Sequence, residues 1–189
     1  MIRTLAAARE DCLSRLQSAA DDRKSDMHIP VVTTANGDAR MMVLRAFDRA
    51  GWTLRFHTDA RADKVAVIEA DPRVGVLCYD REDNVQLRLR GTGRILRDGL
   101  IADAAWADSD RYARRCYLGA APGEMVSEPS SGLPSWAEGI KPSEEQLAPA
   151  RPNFAVLLVD VAEIDWYSLS HDGHRRALLR PDAGEWLTP

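Results

Sequence analysis

The chain has 189 residues, 45% of them hydrophobic and 29% charged, which is enough apolar material to bury a core without disulfides or metals, so one domain over 1–189 is expected. Its formal net charge of -4 excludes a general affinity for nucleic acid or for an anionic membrane, so any anion site has to be local. Three dispersed cysteines, Cys12, Cys78 and Cys116, show no C-x-x-C spacing; they suit a reducing compartment and read as buried apolar residues.

In chain order, Leu5, Ala8, Cys12, Leu13 and Leu16 recur at helical spacing, which predicts an amphipathic helix over 3–20. Glu10 and Asp11 interrupt the apolar core that a signal peptide would need. No apolar run reaches the ~20 residues of a membrane span. A cytoplasmic protein is expected.

"DDRKSD" breaks the helix, and strands follow. "IPVVTTA" leads into Asn36-Gly37, a hairpin turn signal. "RMMVLRAF" reads as one strand, "DRAG" as a turn and "WTLRFHT" as the next strand. "ADKVAVIEA" predicts a short helix closed by Asp71-Pro72, because the residue before proline disfavours helix. "RVGVLCY" and "VQLRLRGTGRIL" are strands; in the latter Val85, Leu87 and Leu89 share one face, and Gln86, Arg88 and Arg90 the other. Residues 98–118 read as a helix and 119–152 as a long Gly-, Pro- and Ser-rich loop. "NFAVLLVDVAEIDWYSL" and "HRRALLR" return to strands, and "EWLTP" suggests a last short one. The pattern predicts a mainly β (α+β) fold, a small antiparallel barrel with helices packed on it.

Common catalytic signatures are missing. There is no G-x-x-x-x-G-K-[ST] loop, and Gly91-Thr92-Gly93 falls inside a strand. The four histidines show no metal spacing, and no G-x-S-x-G elbow occurs, so no metal site is expected.

What stands out is positive charge in an acidic chain: Arg40, Arg45, Arg49, Arg55, Arg61 and Lys64 fall within "ARMMVLRAFDRAGWTLRFHTDARADK". Lys64 opens the short helix, and a helix N-terminus with basic side chains nearby can hold one phosphate. Solvated strand and turn charges are the other reading. Regular alternation would put Arg40 and Arg45 on opposite faces of one strand.

That stretch, followed by Asp71-Pro72 and "VQLRLRG", resembles the pyridoxamine 5'-phosphate oxidase family of FMN-binding split-barrel proteins. The resemblance runs from about residue 30 to the C-terminus. It implies an antiparallel split β-barrel with flanking helices, a homodimer with FMN at the subunit interface, and oxidoreductase activity on a small molecule. Carried over by position, it implies FMN contacts from Arg40, Met41, Met42, Val43, Leu44 and Arg45, from His57 and Thr58, and from Lys64. Arg61 stands near Asp63, where the family has an arginine. Gln86 matches a glutamine beside the flavin ring, and Ser130 in "MVSEPSSGLPS" matches a flavin-contacting loop. Trp166 and Arg176 match residues that reach the flavin of the other subunit.

The substrate side matches less well. The resemblance implies substrate contacts from Arg45 and Tyr112, but Cys116 and Ala120 stand where the family has arginine and serine, and Asp172 where it has arginine. A thiol gives a phosphate no charged donor. Arg115, one residue from Cys116, is rotated by about 100° on a helix. His174 has two readings, a proton-handling catalytic and substrate-binding residue or a strand-end histidine in a polar loop. Three functions stay open: an FMN-dependent oxidoreductase on an unidentified small molecule, a true pyridoxamine/pyridoxine 5'-phosphate oxidase with a rearranged phosphate pocket, and a non-catalytic flavin-binding or sensing module.

Overall fold

The computed structural model describes residues 2–189. Helix α1 (Leu5–Asp21) starts where the Thr4 side chain accepts the N–H of Ala7, satisfying a donor that the first turn leaves free. Its buried Ala8, Cys12, Leu13, Leu16 and Ala19 form one stripe, which packs across strands described next.

Nine strands make one antiparallel sheet: β1 (Val31–Thr34), β2 (Ala39–Met41), β3 (Leu44–Asp48), β4 (Thr53–Asp59), β5 (Arg73–Asp80), β6 (Val85–Leu96), β7 (Phe154–Ser168), β8 (Arg175–Arg180) and β9 (Ala183–Leu187). The order is β2-β1-β5-β6-β7-β4-β3, with β8 on β7 and β9 on β8. Strand β7 is long enough to take two partners along one edge, β4 beside Phe154–Asp160 and β8 beside Ile164–Ser168. β6 follows its other edge. The sheet therefore splits into two halves around β6 and β7, and does not close into a full barrel.

Burial explains the near-continuous apolar run "FAVLLV" of β7. Phe154, Val156 and Leu158 face a cluster under helix α3 (Gly99–Asp108), while Leu157 and Val159 face the main core with α1. A strand covered on both faces loses the polar half of its alternation. Helix α2 (Asp63–Ala70) links β4 to β5, and α4 (Arg111–Arg114) and α5 (Glu144–Leu147) lie between α3 and β7. No helix among the described residues is long and apolar enough to cross a membrane.

Four expectations change. "RMMVLRAF" is not one strand: β2 pairs with β1 and β3 with β4, so the chain changes sheet halves at Met42-Val43. The helix expected over 98–118 ends at Asp108; Ser109 caps back on it, Asp110 starts α4 by accepting the Tyr112 N–H, and 115–118 is a 3-10 turn. Within 119–152, α5 carries a capping box from Ser143 and Gln146, flanked by 3-10 turns at Ser135–Ala137 and Ala148–Asn153. The tail strand starts at Ala183, earlier than "EWLTP".

Candidate functional site

The crossing at Met42-Val43 makes room. Met42 donates its N–H to Pro30 O at 3.0 Å and is buried, and the backbone then bulges between Leu44 and Ala46. Break and bulge together cancel strict alternation, so Arg40 and Arg45 line the same cavity instead of opposite faces. This cavity, about 370 Å³, lies between the β2–β3 crossing, the end of β4, the start of α2, and α4 with the turn after it.

Of the residues expected at an FMN site, Arg40, Met41, Met42, Val43, Arg45, His57, Thr58 and Lys64 line it together. Leu44 does not: its side chain is fully buried in the main core. Arg61 is also off the wall. It binds Asp59 through two nitrogens and donates to Gly119 O at 3.0 Å, tying the chain after α4 to the β4–α2 turn.

Charge on the wall is unevenly matched. Arg40 is bonded to Asp38 and donates to Thr34 Oγ1 at 3.1 Å. Lys64 is half-buried and, among the described residues, has no hydrogen bond or ion pair; Asp59, Asp38 and its neighbour Asp63 act on it only from a distance, and the first two are held by Arg61 and Arg40. Burial, and then the nearby Arg40, lower its pKa below the ordinary lysine range. No side chain caps the first turn of α2, where Lys64 sits.

His57 is held differently. Burial first, then Arg45 and Arg55, push its pKa down to about 4, so the ring is neutral at physiological pH. Ser109 gives its hydroxyl hydrogen to Ala105 O at 2.7 Å and lies 3.4 Å from His57 Nδ1. The Ser109 oxygen therefore faces the ring as an acceptor, which places the imidazole proton on Nδ1. Nε2 is buried without a partner. The ring stands edge-on to Phe154 at 5.0 Å.

The other wall comes from residues that sequence reading missed: Ser109, Ala113, Arg114 and Tyr117, with Asp59 and Pro122 at the sides. Cys116 lines it too, its thiol donating to Ala113 O at 2.9 Å and its pKa raised, chiefly by burial. Arg114, and not Arg115, is the guanidinium on this wall. Arg115 instead lies over the Tyr112 ring at 4.2 Å and donates to Ala137 O and Ile140 O. The capping position of Ser109-Asp110 was a readable signal for this wall. Arg114 had none, because only the helix break fixes its direction.

The remaining expected residues lie away from this cavity within one chain. Gln86 and Arg176 stand on the outer sheet face in one row with Tyr167, and Arg176 binds Asp165 at 2.8 and 3.0 Å. Trp166 is 1% exposed and donates its Nε1–H to Asp11 at 2.8 Å, so its ring packs in its own core. Tyr112 is exposed. Ser130 lies exposed in its loop, accepting the Gly132 N–H, and His174 is exposed, 5.8 Å from the Tyr167 ring.

An open antiparallel sheet in two halves, with a basic cavity where one half crosses to the other, defines a split-barrel protein. The family model described as Pyridoxamine 5'-phosphate oxidase matches residues 19–167, and the chain belongs to that family. A Pyridoxine/pyridoxamine 5'-phosphate oxidase from Kineococcus radiotolerans is 29% identical over 164 residues, covering 78% of this chain and 69% of its own. Among solved structures, a pyridoxamine 5'-phosphate oxidase-related, FMN binding protein from Nostoc punctiforme superposes with a TM-score of 0.71 at 22% identity, covering all of both chains. PhzG from Burkholderia lata, solved in complex with tetrahydrophenazine-1-carboxylic acid, gives 0.66 at 17% identity, covering 95% of this chain and 92% of that one. At these identities the two structures speak for the fold alone.

Proposed function

We propose that this chain is an FMN-dependent oxidoreductase acting on a small molecule, with the FMN phosphate held by Lys64, Arg40 and the first turn of α2. One observation carries the reading: Lys64 is half-buried and, among the described residues, makes no hydrogen bond or ion pair, in a cavity whose other ions are largely paired. An ammonium left so is destabilised until an anion reaches it. The uncapped first turn of α2 offers N–H donors to the same anion. When bound, FMN supplies the hydride and electron chemistry, and the protein supplies position and electrostatics. Membership of the family, and the fold shared with an FMN binding protein of Nostoc punctiforme, support FMN as that anion.

The same reading makes the protein a homodimer. Gln86 and Arg176 face outward on the sheet, away from the cavity. A second copy brings such a face against a neighbour's cavity, with FMN between them. Exposed Met41, Leu77 and Tyr79 on the sheet fit burial there.

The test is the visible absorption spectrum of the purified protein after FMN is added and the excess removed. A flavin band stoichiometric with subunits is expected. A colourless protein that refuses FMN would overturn the reading. Turnover with candidate donors and acceptors then separates an oxidoreductase from a module that only holds flavin.

A further inference from the structure

The ionic groups on the cavity wall are Arg40, Arg45, Asp59, Lys64 and Arg114. Arg40 is bonded to Asp38, Asp59 to Arg61, and Arg114 to Glu144. Among the described residues, two cations on the wall have no ion-pair partner, Lys64 and Arg45. This argument rests on the cofactor reading above: once the FMN phosphate takes the Lys64 end, the α4 end holds one uncompensated positive charge, Arg45.

Glu144 is what keeps that number at one. Arg114 is 5% exposed, and its two terminal nitrogens donate to Glu144 at 2.9 and 2.6 Å. A surface pair of this kind is often worth little, but here one partner is buried and cannot turn to water. Glu144 is also placed firmly. It stands in the first turn of α5, whose capping box fixes the turn. Lys141 binds Asp110 at 2.5 Å, and Arg115 holds two carbonyls of the same segment against α4. Arg114 is pinned from the other side by the Trp106 ring, 5.1 Å from its guanidinium carbon.

Beside Arg114 the wall is Ala113, Cys116 and the Tyr117 ring, with Phe154 and Trp106 packed behind it. Tyr117 stands edge-on to Phe154 at 5.2 Å, and Phe154 to Trp106 at 5.4 Å. His57 adds a neutral ring. A phosphate monoester carries about -1.5 to -2 at pH 7, more than a single guanidinium balances. A carboxylate carries one charge and matches a single guanidinium through two parallel bonds.

We propose that Glu144 is a specificity-determining residue: by neutralising Arg114 it fits the α4 end of the cavity to a substrate bearing one carboxylate and turns phosphate esters away. Arg45 is the cation that meets the carboxylate, and Tyr117 and His57 are the rings that line the cavity beside it. Glu144 itself touches no substrate. It acts by removing Arg114 from the charge that the substrate sees.

The experiment compares two probes with the same ring, 1-naphthoate and 1-naphthyl phosphate, titrated calorimetrically into FMN-treated protein at pH 7.5. Wild type is expected to bind the carboxylate at least about tenfold more tightly. In Glu144→Gln the freed Arg114 is expected to cut that preference by about fivefold or more, or to reverse it. Equal or tighter binding of the phosphate by wild type, or an unchanged ratio in Glu144→Gln, overturns the proposal. If circular dichroism shows Glu144→Gln unfolded, Arg45→Gln decides, since that side chain is exposed. It is expected to weaken naphthoate by about tenfold, and unchanged affinity overturns the proposal. Flavin uptake is read by absorbance in the same samples, so loss of uptake counts against the cofactor reading, while the anion ratio alone judges this one.

Discussion

Arg40 and Lys64 reach the same cavity, but only Arg40 has a carboxylate on it. Asp38 holds the guanidinium, while the Lys64 ammonium, half-buried, is pushed toward its neutral form by burial and by Arg40 itself. The asymmetry gives a test with two opposite readouts. Lys64→Met keeps the stem and removes the charge. If the ammonium makes a charge-assisted bond to phosphate, FMN binding weakens by about 1.5–3 kcal/mol. The flavin-free protein moves the other way, with a slightly raised Tm, because an unpaired buried charge has gone. Flavin titration and a thermal melt of the same sample check both signs. Unchanged FMN affinity removes Lys64 from the site.

How much of this site was legible in the chain depends on which physical effect placed each residue. Lys64 was readable, because its helix is short and punctuated by Asp71-Pro72, both local signals. The shared cavity of Arg40 and Arg45 was not. "RMMVLRAF" contains no glycine or proline at Met42-Val43, and the break there comes from pairing with two different strands, β1 and β4. Both pairings are neighbouring hairpins, marked by Asn36-Gly37 and "DRAG", but nothing between those turns marks where one strand ends and the next begins. Trp166 shows the reverse case: its position suggested a role at a neighbour's flavin, yet a partner 155 residues away, Asp11, holds its indole inside. Ser109-Asp110 did carry a capping signal, which a helical periodicity running through it concealed.

His57 makes stability depend on pH. Its folded pKa, about 4, lies below the ordinary histidine value, so between roughly pH 6.5 and 4 the unfolded chain binds a proton that the folded one refuses. Stability therefore rises with pH across that window and falls as pH drops through it. At pH 5 the loss from this residue is about 2 kcal/mol relative to pH 8. Urea midpoints of wild type and His57→Phe at the two pH values check it. The difference between the proteins isolates the histidine from carboxylates, and a variant with the same pH slope as wild type would sink the assignment.

Gly91 sits at the register slip between β6 and β7, where a Cβ would fall 2.2 Å from the Asp160 carbonyl oxygen. Backbone cannot move away as a side-chain tip can. Asp160 is moreover held by Arg94 at 2.7 and 3.2 Å and by Thr53 at 2.9 Å. Gly91→Ala is expected to cost about 3 kcal/mol, read as a lower urea midpoint with the slope of the transition unchanged. A cost under about 0.5 kcal/mol, the size of an ordinary surface change, would show that β6 can shift against β7.

The outer sheet face carries the last prediction. Register places Met41, Val31 and Leu77 in one row across β2, β1 and β5, and Met41 and Leu77 are 68% and 40% exposed. Beside them lies the row of Tyr79, Gln86, Tyr167 and Arg176. Two-fold symmetry uses one patch on both copies, so a charge placed there enters the interface twice. Leu77→Asp is thus expected to convert a dimer to a monomer in sedimentation velocity while circular dichroism stays unchanged, since the side chain is already half in water. If FMN lies between the copies, its affinity falls by about tenfold or more in the same variant, although Leu77 does not line the cavity. A wild type that sediments as a monomer, or a variant that stays dimeric with full FMN affinity, would show that this face is not where two copies meet.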